Sequence, residues 1–381
     1  MLLPRKRREA LRWATDAHGE RAVLLHLDGQ HEQALEASTT ATRAAQKLHR
    51  ADRKDRDVRQ VLAARLRDRA DIRRELGNHH ALAEGPSSSR ALAQYRAGLG
   101  DVQRAVELLS GTEEAARYPL LVPSLRLLGA EFLARAGARA DEAARDVQSA
   151  LTEYRSHSQL SEERGALDLA WTLARVADVL LLSGDEQGSL AARRESVERF
   201  RPWLGPEGVL WRDRHQERTT WVTTPTLERA GDSALALAVQ LQPPGWAGMP
   251  WPLGRGSRSP VPEPPDGSVV PEALHALQDA GESFADSLPK DGFGPAVNTP
   301  AYNRLTRALN STEITFRRWL EMAGASELAM RYHEVIGTIL DRVHATQMSA
   351  LLGQVSPVTG DEWSTPLRAL RPSLEQVARS R

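Results

Sequence analysis

One phrase recurs along this chain of 381 residues: a helix-ending Gly, a polar turn, then a small residue followed by Leu or Val. It reads Asp28-Gly29-Gln30-His31-Glu32-Gln33-Ala34-Leu35 near the start. It returns as Gly100-Asp101-Val102-Gln103-Arg104-Ala105-Val106 and as Gly184-Asp185-Glu186-Gln187-Gly188-Ser189-Leu190, with looser copies at Gly77, Gly137 and Gly231. Gly ends a helix where the backbone needs a left-handed residue. The small residue five positions on (Ala34, Ala105, Ser189) lets the next helix pack closely. A recurring turn of this kind marks stacked helical hairpins, each burying its apolar face against its neighbours.

The composition agrees. Ala and Leu dominate the apolar residues and both favour helix, aromatics make up only 5%, and runs of alternating β-branched residues are missing. The expectation is an all-α chain. With 50 basic and 50 acidic residues the net charge is zero, so no global field draws the chain to nucleic acid or an anionic membrane. The absence of cysteine excludes disulfides, thiolate zinc sites, iron–sulfur clusters and cysteine nucleophiles. The basic stretch from Met1 to Arg8 runs into Glu9-Ala10-Leu11-Arg12-Trp13, which is not the apolar core of a signal peptide. No apolar run approaches the roughly 20 residues of a membrane span. A cytoplasmic protein without membrane contact is expected.

Residues 1–242 alternate helical stretches with Gly turns. Residues 243–271 contain Pro243, Pro244, Pro250, Pro252, Pro260, Pro262, Pro264, Pro265 and Pro271, and no helix crosses such a stretch because each Pro lacks a donor and clashes with the preceding turn. This reads as a linker. Residues 272–353 return to helical patterning as a small bundle, with Asn310-Ser311-Thr312-Glu313 resembling a capping box and Gly324 closing that helix. The next helix, from Ser326, carries an apolar stripe of Leu328, Tyr332, Val335, Ile336, Ile339, Leu340 and Val343. Residues 354–381 read as a tail with two short helices, starting at Thr365-Pro366 and Ser373.

The quoted phrases resemble the inter-helix turn of tetratricopeptide repeats, over roughly residues 10–240. The family also places a small residue seven before the turn Gly, where Ala22, Ala93 and Ala177 stand. Leu128-Gly129 with Phe132 matches its first-helix pattern. The family repeats about every 34 residues, whereas the glycines at 29, 77, 100, 137, 184 and 231 step by 48, 23, 37, 47 and 47. A different α-solenoid, with helix pairs of about 47 residues, is the rival architecture. The resemblance implies an α-solenoid of about five degenerate hairpins. Its first helices would present Arg90 and Gln94, Arg126, and Trp171 and Asp178 to a partner. It also implies a non-catalytic interaction or regulatory adaptor that grips a protein or peptide. Such arrays commonly sit behind ATPase or DNA-binding domains in bacterial regulators, so the sensor portion of a regulator is an alternative.

Other features compete with that reading. Arg and Lys crowd residues 43–74, which suggests a phosphate-binding face for nucleic acid. Interleaved Asp52, Asp55, Asp57, Asp68, Asp71 and Glu75 favour a solvated helix instead, with Val58, Leu62 and Leu66 as its buried stripe. Trp203, Trp211, Trp221, Trp246 and Trp251 cluster beside the Pro-rich stretch, as if the linker closed the array's last unit. Segment 313–335 superficially resembles a helix-turn-helix, but Glu327 and Glu334 would repel phosphate. His26 and His31, His79 and His80, and His333 and His344 form no metal motif. No glycine-rich phosphate loop, nucleophile elbow or zinc-protease motif is present, so no cofactor, metal or catalytic residue is expected. The long helix 326–352 offers a partner-helix or homodimer contact.

Overall fold

The computed structural model describes residues 5–137, 140–160, 164–204, 223–242, 269–288, 299–351 and 360–379. Every regular element among the described residues is helical, and none of these helices is long and apolar enough to cross a membrane. The chain divides into two compact units, Met1–Ser189 and Leu190–Arg381.

The first unit contains α1 (Arg5–Leu27), α2 (His31–Ala51), α3 (Arg56–Glu84), α4 (Ser89–Leu109), a short α5 (Glu113–Arg117), α6 (Leu121–Arg135), α7 (Ala140–Leu160), α8 (Arg164–Leu182) and the beginning of α9 (Glu186–Phe200). Neighbours in sequence pack as pairs: α1 with α2, α3 with α4, α6 with α7, and α7 with α8; α4 also packs on α6 across the short α5. Three of the predicted turn glycines do turn the chain, with φ of 76° at Gly29, 66° at Gly137 and 83° at Gly184. At Gly29 the amide of Gln30 donates to the Leu25 carbonyl (2.9 Å) and that of Gly29 to His26 (3.0 Å). At Gly184 the amide of Asp185 reaches Leu180 (2.9 Å) and that of Gly184 reaches Leu181 (3.0 Å). These paired bonds satisfy the last helical carbonyls and require the left-handed glycine. The small residues that follow are buried: Ala34 packs in the α1–α2 core, and the Ser189 hydroxyl donates to the Ala177 carbonyl at 2.7 Å.

The other three glycines do not turn the chain. Gly77, Gly100 and Gly231 lie inside helices. Asp101, read as part of a polar turn after Gly100, instead holds Arg69 (Nε, 2.9 Å) and Arg73 (3.4 Å) of α3. The apolar face of α4 runs through the glycine without a break: Ala91, Tyr95, Val102, Ala105 and Leu109 are all buried. Ala93, matched to a turn at Gly100, is exposed. The reversal falls instead at Gly85 (φ 97°), where Ser88 caps α4 by accepting from the Ala91 amide at 3.1 Å. Gly77 serves packing. A Cβ there would overlap the Tyr95 ring, one at Gly98 would overlap the Phe132 ring, and one at Gly231 would come within 2.7 Å of the Phe284 ring.

The second unit joins the end of α9 to α10 (Thr223–Gln240), α11 (Val269–Ser287), α12 (Thr299–Met322), α13 (Ser326–Leu351) and α14 (Gly360–Arg379). α11 sits at its centre, against α10, α12 and α14. Phe316 of α12 stacks on Tyr332 of α13 with centroids 3.8 Å apart and planes 7° from parallel, and Trp319 is fully buried beside them. The unit boundary differs from the one expected at residue 242. α10 meets α11 where Phe284 fills the space over Gly231, and Arg194 of α9 makes a bidentate pair with Glu272 (2.6 and 2.8 Å). The described residues 190–204 and 223–242 therefore belong with the C-terminal helices. Of the expected linker, residues 243–268 lie outside the described residues, as do Trp211, Trp221, Trp246 and Trp251; residues 269–271 already belong to α11.

Three further expectations are corrected here. Asn310-Ser311-Thr312-Glu313 caps nothing: α12 runs through it, Thr312 bonds back to the Ala308 carbonyl (2.8 Å), and Glu313 pairs with His333 (2.9 Å) and Arg317 (3.3 Å). The tail forms one helix rather than two, despite Pro366 and Pro372, because Leu367, Leu370 and Leu374 form a continuous buried stripe. That burial outweighs an interior proline's cost of about 3 kcal/mol. The stripe on α13 invoked for a homodimer is spent internally, since Leu328, Tyr332, Ile336, Ile339 and Val343 are buried in the unit's own core. Gly324 (φ 70°) does end α12, and Ser326 does begin α13.

The glycine assignment can be checked by substitution. Gly100 is exposed, helical and has open space around its Cβ position, so Gly100→Ala should raise stability by about 0.5–1 kcal/mol. A glycine at a left-handed turn would give the opposite sign. Gly77→Ala should lower stability by about 1–3 kcal/mol, since the new methyl displaces Tyr95. Urea titrations of the two variants against the parent chain measure both.

Candidate functional site

The first unit concentrates charge on the face shared by α3, α6 and α8. Glu131 interrupts an otherwise apolar stretch of α6 and is buried. It accepts from Arg135 one turn on (3.1 Å), from Arg175 of α8 (3.4 Å) and pairs with Arg74 of α3 (3.6 Å). Burial alone would push its carboxyl up, but the guanidiniums of Arg74, Arg175 and Arg135 outweigh that and hold it below the ordinary value. Arg74 shows the complementary balance: burial opposes its charge, yet Glu131, Asp71 and Glu75 raise its pKa. One carboxylate thus ties three helices together. The only sequence signal for it was a lone acid inside Leu127-Leu128-Gly129-Ala130-Glu131-Phe132-Leu133.

The first unit also holds an open groove of about 580 Å³. Its floor is apolar: Ala63 and Ala64 of α3, Leu109 at the end of α4, and Leu121 and Leu125 of α6. Its mouth carries Arg67, Arg117, His157 and Asp168, with Glu114 on one wall. The short α5 is stapled to α3 by Arg56, which donates to Glu114 (2.9 and 3.2 Å) and to Glu113 (2.7 Å); Gln60 also donates to Glu114. Thr112 caps α5 by accepting from the Ala115 amide at 3.2 Å. Arg117 lies over the exposed Tyr118 ring, 5.5 Å from its centroid.

The five residues expected to meet a partner are scattered. Arg90 and Gln94 were placed on a first helix ending at Gly100. With the reversal at Gly85 they lie on α4, the second helix of its pair, where Arg90 pairs with Glu84 across that turn (3.1 Å). Arg126 of α6 pairs with Glu153 of α7 (2.8 Å). Trp171 and Asp178 are half-buried on α8, and the Trp171 indole nitrogen has no partner among the described residues. None of the five is among the described residues that line the groove. The groove's own residues escaped sequence reading because α5 and the Tyr118-Pro119-Leu120 loop match no part of the repeated phrase.

Part of the basic run at 43–74 is neutralised. Arg56 pairs with Glu113 and Glu114, Arg65 with Asp68, Arg69 and Arg73 with Asp101, and Arg74 with Asp71, Glu75 and Glu131. Several of these partners sit on other helices, so these charges join helices together. Val58, Leu62 and Leu66 form the expected buried stripe.

The histidines come closer than their spacing suggested. His79 and His80 are in α3, not in a turn. With His31 and Arg90 they line a cavity of about 380 Å³, and the His26 and His31 rings lie 5.3 Å apart. Burial first, then His26 and His79, lower the His31 pKa. No group of three or more His, Asp or Glu among the described residues is arranged to hold a metal ion.

No protein-family profile matches the chain, and no curated protein does. Among solved structures, BtubC (BKLC) from P. vanneervenii aligns with a TM-score of 0.43 at 17% identity, covering 84% of this chain and 92% of that one.

Two pH windows follow for the first unit. His31, with its depressed folded value, stays neutral when folded but charges when unfolded, so stability should fall as pH drops below 6.5. Glu131 contributes above the ordinary glutamate value of 4.5, and that contribution should vanish as pH falls from there through its depressed folded value. Glu131→Gln should cost about 2–4 kcal/mol at neutral pH by leaving three guanidiniums without their shared anion. It should also flatten the lower window. Chemical denaturation at a series of pH values measures all three effects.

Proposed function

We propose that this chain is a non-catalytic interaction protein whose helical hairpins, stacked in a tetratricopeptide-like array, hold a segment of a partner protein in the groove beside α5. One observation carries the reading: an open apolar floor of leucine and alanine side chains, ringed by charged groups. Buried apolar anchors with a polar rim are how interfaces obtain most of their affinity.

The charges at the mouth narrow the partner's chemistry. The Glu114 carboxylate is already committed to Arg56 and Gln60, whereas Arg117 meets no carboxylate among the described residues and rests on Tyr118. An apolar side chain flanked by carboxylates would fill the floor and reach Arg117 and Arg67. Glu114's prior commitment also favours binding over reaction, since it leaves that wall without a free acid or base.

Selection of a displayed peptide library on the full chain tests this. Selected peptides should converge on a large apolar residue with acidic neighbours. Ala64→Trp, which plugs the floor, should weaken binding at least about tenfold, and Arg117→Glu about threefold or more by charge reversal at the exposed rim. Peptides that bind both variants as tightly as the parent chain, with unchanged melting, would sink the reading.

A further inference from the structure

The second unit holds a cavity of about 430 Å³ whose walls are polar. Asp279, Glu282, Ser283 and Asp286 follow one another at helical spacing, so all four lie on one face of α11. All four are buried. Arg368 and Arg371 face them from α14, and Arg201 closes the side. Arg371 donates to Asp279 (2.9 Å) and Glu282 (3.2 Å), Arg368 pairs with Asp286 and Glu282, and Arg201 donates to Asp279 (3.3 Å). Among the described residues of the wall, three carboxylates meet three guanidiniums.

Such a cluster is an expensive way to fill a core. Each of the three buried carboxylates loses hydration at a cost of several kcal/mol, while Arg201 and Arg371 stay partly in solvent. The ions close on one another, with Arg371 2.9 Å from Asp279 and 3.2 Å from Glu282, and a cavity still remains beside them. Ser283 is 2% exposed, and its hydroxyl oxygen has no hydrogen-bond partner among the described residues. A buried unpaired hydroxyl costs about 1–3 kcal/mol, and an alanine there would avoid it. Among the described residues Arg201 uses only Nε, on Asp279, so both terminal nitrogens keep their donors there. Asp279 accepts one guanidinium donor at each oxygen, and a carboxylate has about four lone-pair sites, so it retains acceptor capacity.

We propose that this cavity binds a small neutral polyhydroxyl compound of monosaccharide or cyclitol size. The wall's described residues carry both signs, so a net anion would meet three carboxylates and a net cation three guanidiniums. A ring of hydroxyls meets neither penalty. Each hydroxyl can donate to a carboxylate and accept from a guanidinium, and one would give Ser283 the partner it lacks. The volume falls within the range usual for small-molecule sites, about 300–1,000 Å³. This site is independent of the groove in the first unit.

Saturation-transfer NMR on the full chain, with glucose, galactose, mannose, ribose and myo-inositol at millimolar concentration, tests the proposal. Inorganic phosphate, acetate and glycine serve as charged and zwitterionic controls. At least one of the five polyols should receive saturation, and Ser283→Ala should weaken its binding about threefold to tenfold, the usual worth of one lost hydrogen bond. Arg201→Gln, at the more exposed edge, should weaken it comparably and serves as the second variant if Ser283→Ala alters folding. Silence from all five polyols overturns the proposal. So does binding of phosphate, acetate or glycine in their place, or a polyol signal that both variants leave unchanged.

Discussion

Close approach between helices is the constraint on which the rest of this molecule depends. Three times an aromatic ring lies where a side chain on the facing helix would otherwise stand: Tyr95 over Gly77, Phe132 over Gly98 and Phe284 over Gly231. A glycine in a helix interior costs about 0.5–1 kcal/mol against alanine. A buried ring returns considerably more through its area and contacts. The first two contacts set the spacing of α3, α4 and α6, and so place Leu109 and Leu125 on the floor of the groove. The third draws α10 onto α11 and decides which helices form the second unit.

Charge does the second part of the work, and differently in each unit. In the first, Glu131 joins α3, α6 and α8, Asp101 joins α4 to α3, and the Glu113–Glu114 pair fastens α5 to α3 through Arg56. These links cross helix boundaries at intervals, each with its ions close together. In the second, the acids of α11 and the arginines of α14 are gathered at one place. The first pattern fixes neighbouring helices against one another where apolar contact is modest. The second pairs α11 with α14 at one place and leaves a polar cavity beside the ions.

Much of the architecture was legible in the chain. Gly29, Gly184 and Gly324 were read as turns and turn with the paired backbone bonds of a helix terminus. Their signal was local: a glycine after a helical run, with a polar stretch behind it. The stripe from Leu328 to Val343 was read as apolar, and it is buried. Gly77, Gly100 and Gly231 were misread because glycine has two uses, φ freedom and the absence of a side chain, and a single sequence does not say which is in force. The real reversal at Glu84-Gly85-Pro86 carried a usable signal, a Gly-Pro pair followed by serines, but it lay outside the repeated phrase.

What the sequence by itself determined is therefore the all-helical class, several helix ends and the periodic faces that must be buried. These depend on interactions within a few residues along the chain, where spacing alone identifies the partner. Only the tertiary structure decided where the units divide, which glycines turn, and where the groove and the polar cavity lie. Each of those depends on what a residue meets across a gap between helices. Asp101 could have capped a helix or gripped two arginines; Asp279, Glu282 and Asp286 could have been a solvated stripe or a buried one. The choice rests on which helix stands opposite, and that is a property of packing rather than of local order.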